Sequence, residues 1–227
     1  MDILLRDKLK RLRFEGVREY RLVFDDRIAD GRAPAGAWQG MGSLVYLADA
    51  RWLPYGQTGL RERRELDVIS VMLEGRLTQE SSPGGQGKSL AAYDVQVQAG
   101  GGAGFSGNEV NPDGTENRVI KMWVLPEYGG QVSGCAGLPI EPGRVTRVYG
   151  GPQDKGATFP SRTCIDIARL PGGRTVDIDK PALVYLCEGR GFANEESVSG
   201  GTLLRSNQLT FDATENAFLI IVHEEAI

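Results

Sequence analysis

The chain has 227 residues, a formal net charge of −4, 31 glycines, three cysteines and one histidine. That length buries the core of one large or two small domains without covalent staples. Three unevenly spaced cysteines, none in a C-x-x-C pair, exclude a disulfide scaffold and a cysteine zinc site. Interspersed acidic and basic residues give no sustained positive field, which excludes nucleic acid as a direct ligand.

In chain order, the N-terminus MDILLRDKLKRLRF has no apolar signal-peptide core, and nothing later approaches a membrane span. A cytoplasmic protein without a membrane partner is expected. The basic stretch Arg6 to Arg13 also carries Leu5, Leu9 and Leu12, a spacing open to a short amphipathic helix or a terminal arm. Beyond it the sequence comes in short runs of β-branched and aromatic residues punctuated by Gly and Pro, the pattern of an all-β sandwich or barrel. Strands are predicted over Glu19–Phe24, Ser43–Ala48, Leu66–Leu73, Asp94–Gln98 and Val119–Leu125, and again over Arg144–Tyr149, Cys164–Leu170, Ala182–Cys187 and Ala217–Val222.

Residues 127–142 are rich in Gly and Pro and read as a linker. It would separate an N-terminal barrel, 1–126, from a C-terminal barrel, 143–227. An internal repeat supports two units: Val71-Met-Leu-Glu-Gly-Arg76 returns as Tyr185-Leu-Cys-Glu-Gly-Arg190, and the segment around Val95, Val97 and Ala99 returns as Leu209, Phe211 and Ala213.

The order of motifs between Gly40 and Pro126 resembles the pirin-like bicupins of the cupin superfamily. GMGSLVYLADARWLPYGQTG resembles that family's approach to its metal strand, ELDVISVMLEGRLTQESS its strand, Glu-Gly turn and return strand, AAYDVQVQAGGGAGFS its turn and Ala-Gly segment, and IKMWVLP its closing Trp strand. The resemblance implies two antiparallel β-barrels in one chain. It would also imply a metal held by His-x-His and His-x-Glu, quercetin 2,3-dioxygenase activity and an iron-dependent regulatory role. Aligned on Leu73-Glu74-Gly75 and Ala99-Gly100, the ligand positions hold Arg61, Arg63, Phe105 and Gly107 instead. Arginine stays protonated and offers no lone pair, so neither metal nor other cofactor is expected. A two-residue slip would bring Glu109 to the carboxylate position, which supplies a single ligand.

In a strand, residues two apart share a face, so Arg61 and Arg63 would both point into the cup and convert a cation site into an anion site. Phe105 with Met72 or Leu73 would wall an apolar body, and the ligand expected is a small organic anion. The competing reading makes residues 61 to 65, RERRE, a surface segment whose arginines pair with Glu62 and Glu65. A cupin enzyme with an atypical site, quercetin 2,3-dioxygenase-like or using carboxylates such as Glu109 or Asp67, and a protein-interaction module with a filled cup, are the other readings. Cys135, in the linker, is the candidate for redox sensitivity; Cys187 replaces Leu73 in the repeat and is expected in the core. His223, alone at the end of the last strand, reads as a core-edge residue. GGAGFSG, residues 101–107, lies between strands and is not a phosphate loop.

Overall fold

A computed structural model describes residues 1–227 except 32, 83–84, 153–158 and 226–227, and except the side chains of 81–88. In chain order the elements are β1 (Asp2–Leu5), a 3-10 turn (Arg6–Lys8), β2 (Leu12–Phe14), β3 (Val17–Phe24), α1 (Asp26–Ala29), β4 (Leu44–Trp52), β5 (Arg61–Arg63), β6 (Asp67–Glu74), β7 (Arg76–Ser82), β8 (Gly85–Ala91), β9 (Asp94–Ala99), β10 (Phe105–Val110), β11 (Arg118–Val124) and β12 (Gly134–Pro139). The remainder is β13 (Arg144–Gly151), β14 (Ser161–Leu170), β15 (Thr175–Ile178), β16 (Ala182–Glu188), β17 (Arg190–Ala193), β18 (Glu196–Ser199), β19 (Thr202–Ser206), β20 (Leu209–Ala213) and β21 (Ala217–Glu224). The all-β expectation holds, and all the strands predicted above lie in the two large sheets.

Two compact units divide the chain, Leu9–Pro139 and a second made of Met1–Lys8 with Ile140–Ile227. Each unit has a large and a small sheet. In the first, a 7-stranded sheet runs β12-β9-β6-β11-β4-β3-β2 and a 4-stranded one β5-β10-β7-β8. In the second, a 6-stranded sheet runs β1-β19-β16-β21-β14-β13 and a 4-stranded one β15-β20-β17-β18. Apart from β2, which has no counterpart in the second unit, the orders coincide, with β6 standing for β16, β11 for β21 and β10 for β20. This is the two-fold repeat of a bicupin.

Three local expectations change. Leu5, Leu9 and Leu12 do not share a helix face: Leu5 ends β1, Leu12 begins β2, and the segment between holds only the 3-10 turn. The stretch 127–142 is not all connector, because Gly134–Pro139 forms β12 and pairs antiparallel with β9 over Gly134↔Ala99 to Pro139↔Asp94. Finally, Val95, Val97 and Ala99 lie on β9 in the large sheet, whereas Leu209, Phe211 and Ala213 lie on β20 in the small one. Their equal offset is therefore not a structural equivalence; β9 answers to β19. A period-2 pattern alone does not say which sheet a strand joins.

The Glu-Gly match is a true equivalence. Gly75 and Gly189 adopt left-handed backbone, with φ of 74° and 90°, at the turn between β6 and β7 and between β16 and β17. Any side chain there is strained, and in the second unit a Cβ on Gly189 would also meet the Asn216 carbonyl oxygen at 2.2 Å.

In the second unit the space between the sheets is filled by an apolar core that includes Val184, Ala193, Phe211 and Ile221. The first unit has a smaller apolar cluster, centred on Trp52, Met72, Leu77 and Val119.

Candidate functional site

Beside that smaller cluster lies a cavity of about 560 Å³. Its wall combines Phe14, Val17, Tyr46, Trp52, Leu66 and Trp123 with the charged Glu19, Arg21, Arg61, Arg63, Glu109 and Lys121. The aromatic side is fixed by Tyr46 on β4 and Trp123 on β11, neighbours across the sheet, whose rings stack at 4.2 Å and 17°. Trp52 is 2% exposed, and its indole N–H, like that of Trp123, is buried with no hydrogen-bond partner. A buried indole donor without an acceptor costs free energy unless something else supplies one.

The charged side is mostly self-neutralised. Arg21 Nε donates to Glu19 Oε1 at 2.5 Å, and the Tyr46 hydroxyl donates to Glu19 Oε2 at 2.7 Å. Burial, reinforced by Glu19, pushes the Tyr46 phenol well above its ordinary range, so it stays protonated and donating. Lys121 Nζ donates to Glu109 Oε1 and, at 2.8 Å, to Ser70 Oγ. The Glu109 backbone N–H donates to Thr58 Oγ1 at 3.0 Å, which anchors the strand carrying that carboxylate. Burial lowers the Lys121 ammonium from its usual value; Glu109 opposes that and Arg63 adds to it.

β5 lies against β10 with Arg63 opposite Phe105 and Arg61 opposite Gly107, so the four aligned positions are adjacent on paired strands. Their fates differ. Arg61 stays at the rim, half-exposed, with Nη2 on Glu15 Oε1 at 2.8 Å and Nε on the Thr58 carbonyl at 3.2 Å. Arg64 pairs with Glu62 at 3.0 Å. Arg63 is half-buried, with its guanidinium carbon 5.9 Å from the Trp123 ring centroid, and among the described residues no carboxylate is within ion-pair reach of it. Burial lowers its pKa against the field of Glu109, with Arg61 adding to the fall, yet guanidinium remains charged at any neutral pH.

Several sequence expectations need correction. Phe105, Met72 and Leu73 do not line the cavity; Met72 belongs to the apolar cluster, and Tyr46, Trp52 and Trp123 form the aromatic wall. Glu109 lies in the cavity wall, and its partner is Lys121 on β11 rather than Arg61. The arginines of RERRE do not all pair locally, since Arg61 bonds to Glu15, far away in sequence. Asp67 is buried and takes a hydrogen bond from the Gly100 N–H at 3.1 Å, a structural tie outside the cavity wall. Cys135 is exposed on β12, and Cys187 is buried in β16 as expected.

Glu19, Tyr46, Trp52, Lys121 and Trp123 line the cavity without forming any recognisable site motif in the sequence. A signal for Lys121 was present: it is the lone charge inside the apolar run IKMWVLP, and a lysine is seldom fully buried without a specific partner.

The metal implied by the resemblance to pirin-like bicupins does not fit this donor set. Arg61, Arg63, Phe105 and Gly107 have no side-chain lone pair to give, and Glu109 is held by an ammonium. Among the described residues, one grouping of ligand-type side chains occurs in the second unit, Cys164, His223 and Glu225. The Arg147 guanidinium sits among them, donating to Cys164 Sγ at 3.2 Å and Glu225 Oε1 at 3.0 Å and reaching His223 Nε2 at 3.4 Å. His223 Nε2 is also 2.8 Å from Asp166 Oδ2. Burial pushes the Cys164 thiol up to about 11, so it is protonated. That grouping is an ion-pair network built around an internal cation.

No protein-family model matches the chain. A pirin-like protein of Caulobacter vibrioides is 24% identical over 171 residues, 70% of this chain and 73% of that protein. A protein of Zymomonas mobilis that carries the provisional name quercetin 2,3-dioxygenase is 31% identical over 89 residues, which is 39% of this chain and 37% of that relative. Among solved structures, the bacterial pirin YhhW of Escherichia coli in complex with nickel(II) superposes with a TM-score of 0.82 at 14% identity, covering 100% of both chains. Quercetin 2,3-dioxygenase from Acinetobacter baumannii gives 0.75 at 17% identity, over 99% of this chain and 86% of that one. The chain is similar in sequence to pirin-like proteins and shares the bicupin fold of pirins.

Proposed function

We propose that the chain is a metal-free bicupin that binds a small organic anion in the cavity of its first unit, as a binding or regulatory protein and not as a metal-dependent dioxygenase. The observation that carries this reading is the Arg63 guanidinium. Every other cation in the wall is matched to a carboxylate, while Arg63 stands half-buried over Trp123 without one among the described residues. A desolvated guanidinium is a strong receptor for a carboxylate through paired, charge-assisted hydrogen bonds. The Trp52 and Trp123 indoles and the stacked Tyr46 ring suit a planar apolar body attached to that carboxylate.

The test is calorimetric titration of the purified protein with phenylacetate, together with metal analysis by plasma mass spectrometry after incubation with iron, nickel, copper, manganese and zinc. Saturable binding that weakens at least tenfold in Arg63→Gln, with no stoichiometric metal, is expected. Stoichiometric metal, or binding indifferent to Arg63, would overturn the reading.

A further inference from the structure

The two units answer each other position by position, and this isolates what is unusual in the first. Glu109 on β10 faces Gln79 on β7, and at the equivalent place Phe211 on β20 faces Ala193 on β17. Lys121 on β11 faces Ser70 on β6, where Ile221 on β21 faces Val184 on β16. Gln79 and Ala193 lie the same distance beyond the turn glycines Gly75 and Gly189, and Ser70 and Val184 the same distance before them. Thus one copy of the fold fills this place with Val184, Ala193, Phe211 and Ile221, all apolar and buried, whereas the other keeps a cavity walled by a buried amine and carboxylate. Stability does not require the ion pair, since apolar replacements of buried pairs are commonly neutral or better.

We propose that Lys121 is an imine-forming lysine, condensing reversibly with the carbonyl of an aryl-substituted oxo acid whose carboxylate rests on Arg63. The inference depends on the anion-binding reading above and adds a covalent step to it. The amine lies in the wall of the same cavity as Arg63, buried, with Glu109 in direct contact and Ser70 Oγ at 2.8 Å. Burial and the nearby Arg63 cation favour the neutral amine, against Glu109, which favours the charged form.

The step balances within these groups. Glu109 takes a proton from the ammonium, and the freed lone pair on Nζ attacks the carbonyl carbon. A proton then moves from that nitrogen to the former carbonyl oxygen, giving a carbinolamine. Glu109 returns its proton to the carbinolamine hydroxyl, which leaves as water, and the C=N bond of the protonated imine forms with Glu109 again ionised. The iminium replaces the ammonium as the partner of Glu109, so no buried charge is left unmatched.

The experiment incubates the full-length protein with phenylpyruvate and sodium cyanoborohydride, then reads intact mass and maps the modified peptide. A single reduced adduct on Lys121 is expected. Its yield should fall at least tenfold in Arg63→Gln at the same probe concentration, and it should be absent in Lys121→Arg, which keeps the cation but cannot condense. Site mapping on the unaltered protein does not depend on either variant folding, and thermal melts check both. If phenylacetate binds in an Arg63-dependent manner but Lys121 carries no adduct, or adducts scatter over exposed lysines, the imine proposal alone is overturned. Absence of both binding and adduct removes the anion-binding reading with it.

Discussion

Asp25 shows how one side chain can tie several backbone segments. It precedes α1 in extended conformation, accepts from the Arg27 N–H at 3.0 Å and the Gly40 N–H at 3.0 Å, and pairs with the Arg27 guanidinium at 2.7 Å. The Arg27 hydrogen bond outweighs burial and holds the carboxyl at about 2, below its ordinary value of 3.8. A depressed carboxylate contributes stability that is fully present above the unfolded value and is lost as pH falls toward about 2. Asp25→Ala is therefore expected to cost about 1 kcal/mol at neutral pH, with the difference from the unaltered protein shrinking as pH falls below the ordinary value of 3.8 and lost only once pH has passed below about 2. Chemical denaturation across that range measures it. Gly189 offers a second residue-scale test. Gly189→Ala should cost about 1 to 3 kcal/mol, because positive φ and a carbonyl in the way act together, and it should cost more than Gly75→Ala, whose Cβ would meet nothing nearer than the Asn117 Cβ at 3.0 Å.

Between elements, β10 and β11 supply the two halves of the buried pair, and their counterparts β20 and β21 supply a design for removing it. Lys121→Ile alone strands the Glu109 carboxylate and should lower stability by about 3 to 5 kcal/mol. Combining Lys121→Ile with Glu109→Phe copies Ile221 and Phe211 and should recover most or all of that loss, while abolishing phenylacetate binding by filling the cavity. Thermal melts and calorimetry on the single and double variants form one mutant cycle. A double variant no more stable than the single would mean that the first unit's sheets cannot pack around apolar residues there. The elements that sequence periodicity found were those of the large sheets, such as β6, buried from Asp67 through Leu73 on both faces. The small-sheet strands β5, β17 and β18 are short and expose half or more of their residues, so their composition barely differs from that of loops.

Across the whole chain, the edge strands are exchanged in sequence but equivalent in place. β12 ends the first unit and closes its large sheet beside β9, whereas the chain's first strand, β1, closes the second unit's large sheet beside β19, from Asp2↔Arg205 to Leu5↔Thr202. Ile3 packs on the second unit's core, and the Arg6 N–H bonds to the Gly201 carbonyl at 2.8 Å. Deleting residues 1–8 should therefore destabilise the second unit, which begins at Ile140, and expose the edge of β19 to pairing with other chains. Hydrogen exchange resolved by peptide would place the loss in β16, β19 and β21; an effect confined to β2 and β3 would contradict it.

The sequence by itself determined the strand-rich class, the central strands of both large sheets and the Glu-Gly turn repeat. These follow from side-chain chemistry and local periodicity, which any short window of the chain carries. Tertiary structure decided the rest. Only the pairing of β5 with β10 sets Arg61 at the rim on Glu15 while leaving Arg63 inside, and only the packing of β10 against β11 joins Glu109 to Lys121. The assignment of β1 to the second unit and of β12 to the first is likewise invisible locally. A strand's partner and a charge's burial are fixed by residues distant in sequence, and no property of the segment itself records them.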